Sequence, residues 1–297
     1  MKLVTQTDEL GKAFGEEKAV RIIGECGYDG VDLSFFGMIS EDNVWNQDDY
    51  KQHAARLREI AVEYGMTFMQ AHAPMPSSDL KEGFDEWILS KIHRAMEAAA
   101  LLGIPYIIVH PKQHLPYRKN AQALYEMNIE FYKNLIPYCE AYGIHVCVEN
   151  MFQTMPKSGY LTDSTCSRPE EFIATLDEVN SPWIVGCLDI GHAALVGEDP
   201  AEFIRALGRK RLKALHVHDV DYLHDCHTLP YMKNLDWDSI MTALADIGYE
   251  GALTFEADRF LDPYPPALKK DAAKLMERVG RHLIGIYEEA AGRKGKK

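Results

Sequence analysis

Eight short apolar runs that alternate with long helical patterns constrain the fold of this chain more than any other feature. The runs are KLVTQ (2–6), GVDLSF (30–35), MTFMQAH (66–72), YIIVH (106–110), HVCVEN (145–150), WIVGCLD (183–189), LKALHVH (212–218) and GALTFEA (251–257). Segments between them, such as YKQHAARLREIAVEYG, place apolar residues at helical spacing and end at or near a glycine. Eight strand–helix units over 297 residues predict an α/β fold, a single-domain (β/α)8 TIM barrel.

The barrel is predicted to occupy residues 1–290 as one catalytic domain, followed by a basic flexible tail over 291–297. An open doubly wound sheet is the alternative, but the chain has no G-x-G-x-x-G turn of the kind that such sheets use to bind phosphate. The longest irregular stretch, 151–169, follows the fifth run. A loop of this length in a compact domain is expected to cover an active site.

Composition excludes several classes of partner. The formal net charge is −13, so the surface repels nucleic acid and anionic membranes, and we expect neither as a partner. No run is long enough to span a bilayer, and the first residues lack the apolar centre of a secretory signal. The six cysteines include no C-x-x-C pair, which favours reduced thiols and a cytoplasmic location.

Six consecutive apolar runs carry a metal-binding residue type at or near their end. These residues are His72, His110, Glu149, Asp189, His216 and Glu256. Because all strands of a parallel barrel point the same way, the six side chains are expected to meet at one rim. Alternation along the strands supports an inward direction. Small or mildly polar residues share the inward face (Cys147, Cys187, Ala214, Thr254), and larger apolar ones share the helix-facing side (Val148, Leu188, Leu215, Phe255).

Three carboxylates directed at one point would repel one another and would be costly to bury. One divalent cation removes this repulsion. Glu149, Asp189, Glu256 and His216 together offer oxygen and nitrogen donors, a set that suits Mn²⁺, Mg²⁺ or Co²⁺ and also accommodates Zn²⁺.

Short motifs over residues 70–257 resemble the xylose-isomerase-like TIM barrels, a superfamily that holds sugar phosphate isomerases and epimerases, keto-inositol dehydratases and endonuclease IV enzymes. The motifs are QAHAP, IIVHP, VEN, CLDIGHA, LHVHD, HTLP before LDW, and FEA. By resemblance to the ketose 3-epimerases, Glu149, Asp189, His216 and Glu256 hold one metal, and the two glutamates exchange the proton. His192 then contacts the substrate. Met155 and Tyr222 stand where those epimerases have a substrate-binding glutamate and an arginine.

The resemblance to endonuclease IV implies a cluster of three zinc ions with further ligands. Matching positions are His72, His110, His192, Asp225 and His227. The acidic charge argues against a DNA enzyme. We therefore interpret these five residues as substrate contacts, or as supporting residues around a single metal.

The sequence thus predicts a metal-dependent isomerase or epimerase that acts on a ketose or keto-polyol, phosphorylated or not. Glu149 and Glu256 would transfer the proton through a metal-stabilised enediolate. The alternatives are a keto-polyol dehydratase with the same site, a trinuclear zinc phosphodiesterase, and a metal- or sugar-binding barrel without turnover. The partner is a small sugar or keto-polyol, and a homo-oligomer is compatible with the pattern. Phe35, Phe36 and Trp45 either shield the site from water or pack within their loop.

Overall fold

The computed structural model of the chain describes residues 1–155 and 157–294. Within them lie ten strands: β1 Leu3–Gln6, β2 Gly30–Ser34, β3 Thr67–His72, β4 Tyr106–Ile108, β5 His145–Glu149, β6 Phe152–Thr154, β7 Leu161–Asp163, β8 Ile184–Asp189, β9 Leu212–His216 and β10 Leu253–Phe255. Eight of them coincide with the eight apolar runs, so all eight predicted strands are confirmed. The other two, β6 and β7, form a separate antiparallel pair.

The eight strands form one parallel sheet in the order β10-β1-β2-β3-β4-β5-β8-β9. Its outer members, β9 and β10, meet through a parallel bridge between Val217 and Phe255. The Val217 amide donates to the carbonyl of Thr254 at 2.9 Å, and the Glu256 amide donates to the carbonyl of Val217 at 3.2 Å. The sheet therefore closes on itself, which confirms the predicted TIM barrel.

Ten α-helices in the described part of the chain surround the barrel: α1 Asp8–Phe14, α2 Glu16–Cys26, α3 Tyr50–Glu63, α4 Phe84–Leu102, α5 Tyr117–Tyr142, α6 Pro169–Val179, α7 Ile190–Leu195, α8 Pro200–Arg211, α9 Trp237–Ile247 and α10 Pro266–Lys294. Helices α4 and α5 end on Gly103 and Gly143, whose φ values of 74° and 65° are left-handed. Glycine adopts this conformation without a steric penalty, so each helix ends there and the chain turns toward the next strand.

The last helix, α10, crosses the predicted domain boundary at residue 290. It continues to Lys294, four residues into the predicted flexible tail. Its apolar side remains packed near this end, because Leu283, Ile284 and Ala290 are all buried. Residues 295–297 of the predicted tail lie outside the described residues. No helix within 1–155 and 157–294 is long and apolar enough to cross a membrane.

The barrel has two apolar cores, one inside the strands and one between strands and helices. The inner core is small and contains Ile108, Cys147, Val185, Cys187 and Ala214. The outer core is much larger and includes Val148, Leu188, Leu215 and Phe255. This division matches the alternation predicted from the sequence. Because β5, β8 and β9 keep this alternation to their ends, Glu149, Asp189 and His216 point to the barrel axis.

The long segment after β5 is not irregular as expected, since β6 and β7 form a short antiparallel hairpin. Gln153 on β6 attaches the hairpin to the loop before α5. Its Nε2 donates to the carbonyls of Gln113 and Leu115, both at 2.8 Å, and its Oε1 accepts from the Tyr117 amide at 3.0 Å. These bonds join residues about 36 to 40 positions apart, so local sequence patterns do not reveal them.

Candidate active site

The four predicted metal ligands converge at the carboxyl ends of the strands. Glu149, Asp189, His216 and Glu256 each place one ligand atom within 4.8 Å of the others. Glu149 ends β5, Asp189 ends β8, His216 ends β9 and Glu256 directly follows β10. All four are buried. Their backbone positions are set by the barrel, which brings together residues more than 100 positions apart in the chain.

His216 lies between the two glutamates. Its Nδ1 is 2.7 Å from Oε1 of Glu149 and 3.2 Å from Oε2 of Glu256. Burial opposes ionisation of Glu149, but His216 and His110 outweigh it and lower the pKa of the carboxyl well below its ordinary value. Burial likewise opposes charging of His216, yet Glu256 and Glu149 raise the pKa of its ring well above the ordinary value. The cluster therefore stabilises positive charge at its centre.

Asp189 caps a helix and also contacts a buried histidine. Its Oδ1 accepts from the backbone amide of His192 at 2.6 Å, which caps the N-terminus of α7. Nε2 of His218 contacts the same carboxylate at 3.0 and 3.1 Å. Asn150 holds the backbone of Asp189 by two hydrogen bonds, of 2.7 and 2.9 Å. Burial raises the pKa of Asp189, but the effect of His192 and His218 is larger, so the pKa lies below its usual range.

The four residues of this cluster fit a divalent cation. Three carboxylates and one imidazole are buried together, and buried charges of one sign need a counter-charge. Oε2 of Glu149 is fully buried and has no well-aligned hydrogen bond within the described residues, although Nε2 of His110 lies 2.8 Å away. Such an atom is costly to bury unless a ligand binds it. The donor set, rich in oxygen with one nitrogen, suits Mn²⁺, Mg²⁺, Co²⁺ or Zn²⁺.

Two further histidines from the sequence prediction lie beside Glu149. Nε2 of His110 is 2.8 Å from Oε2 of Glu149, and Nε2 of His72 is 3.6 Å from the same atom. The two imidazole nitrogens are 3.0 Å apart. His72, His110 and Glu149 thus form a second group whose ligand atoms lie close enough to bind one ion. This group shares Glu149 with the first.

A third group contains the remaining predicted residues and one that the prediction did not include. His192, Asp225 and His227 lie together with His218, again with ligand atoms within 4.8 Å. Nε2 of His227 contacts Oδ2 of Asp225 at 2.9 Å. Burial lowers the pKa of His227, but the hydrogen bond with Asp225 and nearby carboxylates raise it to about 10. The structure thus brings all nine predicted site residues to one rim.

His218 could have been found from the sequence. It follows His216 by two residues, so the two imidazoles share one face of the strand. Its ring is fully buried and stacks on that of His227 at 4.1 Å between centroids. A second missed residue is Asp32, an inward residue of β2 that is fully buried. Oδ2 of Asp32 accepts from Nε2 of Gln70 at 3.0 Å and lies 3.8 Å from Nε2 of His216.

Gly191 is required by the close approach of His218. A Cβ added at Gly191 would lie 2.6 Å from Nε2 and 2.7 Å from Nδ1 of the His218 ring. The ring cannot move away without losing its contacts with Asp189. We expect Gly191→Ala to lower the free energy of unfolding by about 1–3 kcal/mol, as other overpacking substitutions do. Urea unfolding followed by circular dichroism measures this change.

The matched control is Gly285→Ala on α10, where an added Cβ meets no atom within 4 Å. Alanine is the better helix former, so this variant should be as stable as the parent chain or more stable. Equal stability of the two variants would contradict the packing argument.

A cavity of about 940 Å³ opens above the cluster and reaches seven of the nine predicted residues. These are His72, His110, Glu149, His192, Asp225, His227 and Glu256. Phe36 and Phe152 form two of its walls, and their rings lie 4.6 Å from that of His72 and 4.9 Å from that of His192.

Four other residues that the sequence analysis named do not line the cavity. Phe35 and Trp45 are fully buried and pack against each other at 5.1 Å, so only Phe36 of the three aromatics faces the cavity. Met155 and Tyr222, which differ from the ketose 3-epimerase pattern, are partly exposed and are not among the residues that line the cavity. Neither replaces the expected glutamate or arginine at the site.

Comparison with known proteins agrees with this geometry. Fructoselysine 3-epimerase of Escherichia coli O157:H7 is 24% identical over 247 residues, which cover 81% of this chain and 84% of the relative. An uncharacterized protein of Methanocaldococcus jannaschii is 25% identical over 242 residues, 79% of this chain and 76% of the relative.

Solved structures show the same fold. A D-tagatose 3-epimerase-like protein has a TM-score of 0.75 at 20% identity, with 97% of this chain and 99% of that chain covered. D-psicose 3-epimerase, solved in the presence of D-fructose, has a TM-score of 0.71 at 16% identity over 96% of this chain and all of the other. IOLI protein, solved with a bound zinc atom, has a TM-score of 0.70 at 17% identity over 98% and 99%.

A family model described as the xylose isomerase-like TIM barrel matches residues 20–279, which contain all nine predicted site residues. The barrel, the rim of carboxylates and imidazoles, and this match together lead to one conclusion: the chain belongs to the xylose isomerase-like TIM barrel family.

Proposed function

We propose that the protein is a divalent-metal-dependent epimerase or isomerase of a ketose or keto-polyol. One observation carries the proposal: two buried glutamates, Glu149 and Glu256, approach the same nitrogen of His216 on the floor of a large cavity. Two carboxylates so close to one another are suited to remove and return a proton at a single substrate carbon. The sugar epimerases among the relatives and structural neighbours support this assignment.

Glu149, Asp189, His216 and Glu256 would hold the metal. A bound divalent cation supplies Lewis acidity that stabilises the negative charge of an enediolate. The zinc atom in the structure of IOLI protein supports a metal in this fold. Nothing in the donor set of the described residues selects one ion among Mn²⁺, Mg²⁺, Co²⁺ and Zn²⁺.

The two glutamates would carry out the proton transfer. Because the pKa of Glu149 is held low by His216 and His110 against the effect of burial, this carboxylate is ionised and can accept a proton. It removes the proton from the hydroxyl-bearing carbon next to the carbonyl, and Glu256 returns one, or the roles are reversed. Return to the opposite face of that carbon gives an epimer, return to the neighbouring carbon gives an isomer, and loss of a β-hydroxyl gives a dehydrated product.

Exchange of substrate protons with solvent tests this proposal. The protein is loaded with Mn²⁺, Mg²⁺, Co²⁺ or Zn²⁺, passed through a desalting column and incubated in D₂O with a panel of ketoses and keto-polyols. For at least one sugar we expect deuterium at the carbon next to the carbonyl, detected by mass spectrometry, together with an epimer or isomer. If a protein that retains metal exchanges no proton in any sugar of the panel, the proposal is wrong.

A trinuclear zinc phosphodiesterase is the second candidate. It is favoured by four groups of possible ligands, three of which share residues; together they contain the nine carboxylate and imidazole residues that the sequence singled out, as well as His218. The net charge of −13 disfavours a nucleic-acid substrate. Elemental analysis of the purified protein separates the two candidates, since we expect one ion per chain. Three zinc ions per chain, with cleavage of DNA at an abasic site, would favour the phosphodiesterase instead.

A further inference from the structure

We propose that the cavity binds a sugar without phosphate that carries an uncharged, apolar substituent. The sugar would lie on the floor beside Glu149 and Glu256, and the substituent against the outer wall formed by the loops after β2 and β3 and by the hairpin. This inference rests on the proposed function and names the substrate class for the same site.

The size of the cavity is the first argument. Its volume of about 940 Å³ is near the upper end of the range of about 300–1,000 Å³ found for pockets that enclose drug-sized ligands. A single hexose is much smaller than such a ligand. A hexose on the floor would therefore leave most of the outer cavity to water, whereas a substituted sugar would occupy it.

The second argument is an apolar wall that begins at the predicted catalytic floor and continues to the mouth. Phe36 contacts the ring of His72, and Phe152 contacts that of His192. Farther out, Ile39, Met75 and Leu80 line the same cavity although 52%, 40% and 75% of their surfaces are exposed. Exposed apolar side chains grouped around a binding cavity mark a surface that a ligand covers.

The third argument is the charge of the cavity. Its lining contains eight carboxylates: Asp8, Glu9, Asp79, Glu149, Asp225, Glu256, Asp258 and Asp262. The lysines and arginines described there are Lys12 and Arg259, and both have partners. Nζ of Lys12 contacts Asp8 at 2.5 Å, and Nη1 of Arg259 donates to the carbonyl of Asp225 at 2.6 Å.

A phosphate group would thus enter a cavity that is rich in carboxylates and has no free lysine or arginine among the described residues. Four of the carboxylates, Asp8, Glu9, Asp258 and Asp262, belong to the first turn of α1 and to the segment after β10 and are not among the predicted metal ligands. A metal bound to Glu149, Asp189, His216 and Glu256 would leave the carboxylates of Asp8 and Glu9 in place on this wall. Because phosphate recognition depends on such cations or on free backbone amides, the wall disfavours sugar phosphates.

Ketoses that differ only in the group on their first oxygen test the proposal. Metal-loaded protein is titrated by calorimetry with D-fructose, D-tagatose and D-allulose, with their 1-O-benzyl ethers, with their 1-phosphates and with the 1-amino-1-deoxy sugars. Burial of an aromatic ring should make at least one benzyl ether bind about 10- to 100-fold more tightly than its parent sugar. The phosphates should bind more weakly than the parents.

The variant Ile39→Ser/Leu80→Ser locates the effect. Both side chains are more than half exposed, so the fold should be retained. We expect the ratio of parent-sugar Kd to benzyl-ether Kd to fall at least threefold. Val62→Ser is the control, because Val62 is 76% exposed on α3 and does not line the cavity. It should leave the ratio unchanged.

The outcomes separate this inference from the proposed function. The inference is supported if the parent protein prefers the benzyl ether to the parent sugar and this preference is smaller in the double variant. Equal or weaker binding of every benzyl ether, tighter binding of a phosphate, or tightest binding of an amino sugar overturns it. Deuterium exchange is followed in the same samples. Exchange without a benzyl preference would refute only the inference, and a benzyl preference without any exchange would refute proton transfer as the function.

Discussion

Replacement of Glu149 or Glu256 with glutamine should lower turnover of the responding sugar at least a hundredfold. Glutamine keeps the shape of the side chain but neither accepts nor returns a proton, and acid–base catalysis contributes about 10²- to 10⁴-fold to a rate. Both residues are buried at the cavity floor. A side chain on the protein surface therefore cannot reach the substrate to transfer the proton in their place. The rate of deuterium exchange into the sugar measures the loss, for each variant separately.

Loss of metal and loss of fold must be distinguished from loss of the proton acceptor. Metal content and Tm are therefore measured on the same preparations. Glu130→Gln, an exposed change on α5, is the control and should keep full activity. A Glu149→Gln or Glu256→Gln protein that retains metal and more than half of the parent rate would exclude that glutamate from proton transfer.

Removal of divalent metal should lower the thermal stability of the protein and abolish its turnover. A ligand that binds only the folded chain stabilises it by about 2.7 kcal/mol when its free concentration is a hundred times Kd. For a domain of 297 residues, the corresponding fall in Tm on chelation with EDTA is about 4 °C. The physical reason is the group of three buried carboxylates, Glu149, Asp189 and Glu256, whose repulsion the cation relieves.

Calorimetric scans with EDTA, and then with excess Mn²⁺ or Zn²⁺, measure the shift. His216→Gln removes the central nitrogen ligand of the cluster and should lose the metal-dependent part of the Tm. The same metal-dependent shift in this variant would place the ion elsewhere. An unchanged Tm in the parent chain, with no bound ion by elemental analysis, would contradict a metal site on the cavity floor.

Much of the candidate site could be predicted because consecutive strands of a parallel barrel are neighbours, and their carboxyl ends all lie at the same rim. Asp189 illustrates this. An acidic residue at the end of a buried strand is unusual unless it binds a ligand or caps a helix. The sequence also indicated that Asp189 precedes the first turn of a helix. His192 follows Asp189 by three residues, and this spacing predicted that the two lie together. In the structure the His192 amide donates to the Asp189 carboxylate.

Other residues could not be placed from local patterns. Asp32 lies beneath His216 only because β2 and β9 face each other across the barrel interior. The hairpin of β6 and β7 depends on hydrogen bonds from Gln153 to a distant loop. Phe35 and Phe36 are adjacent, yet one is buried in the loop and the other faces the cavity. Such choices depend on packing among distant segments.

The sequence by itself determined the eight-unit barrel and the residues that end its strands. Both follow from short-range periodicity: apolar residues alternate along strands, recur at helical spacing in helices and stop at polar residues. Only the tertiary structure decided how those residues group around Glu149 and His216, and which loops form an apolar wall and which an acidic one. These features arise from contacts between segments far apart in the chain, and no local pattern encodes a distance across the barrel.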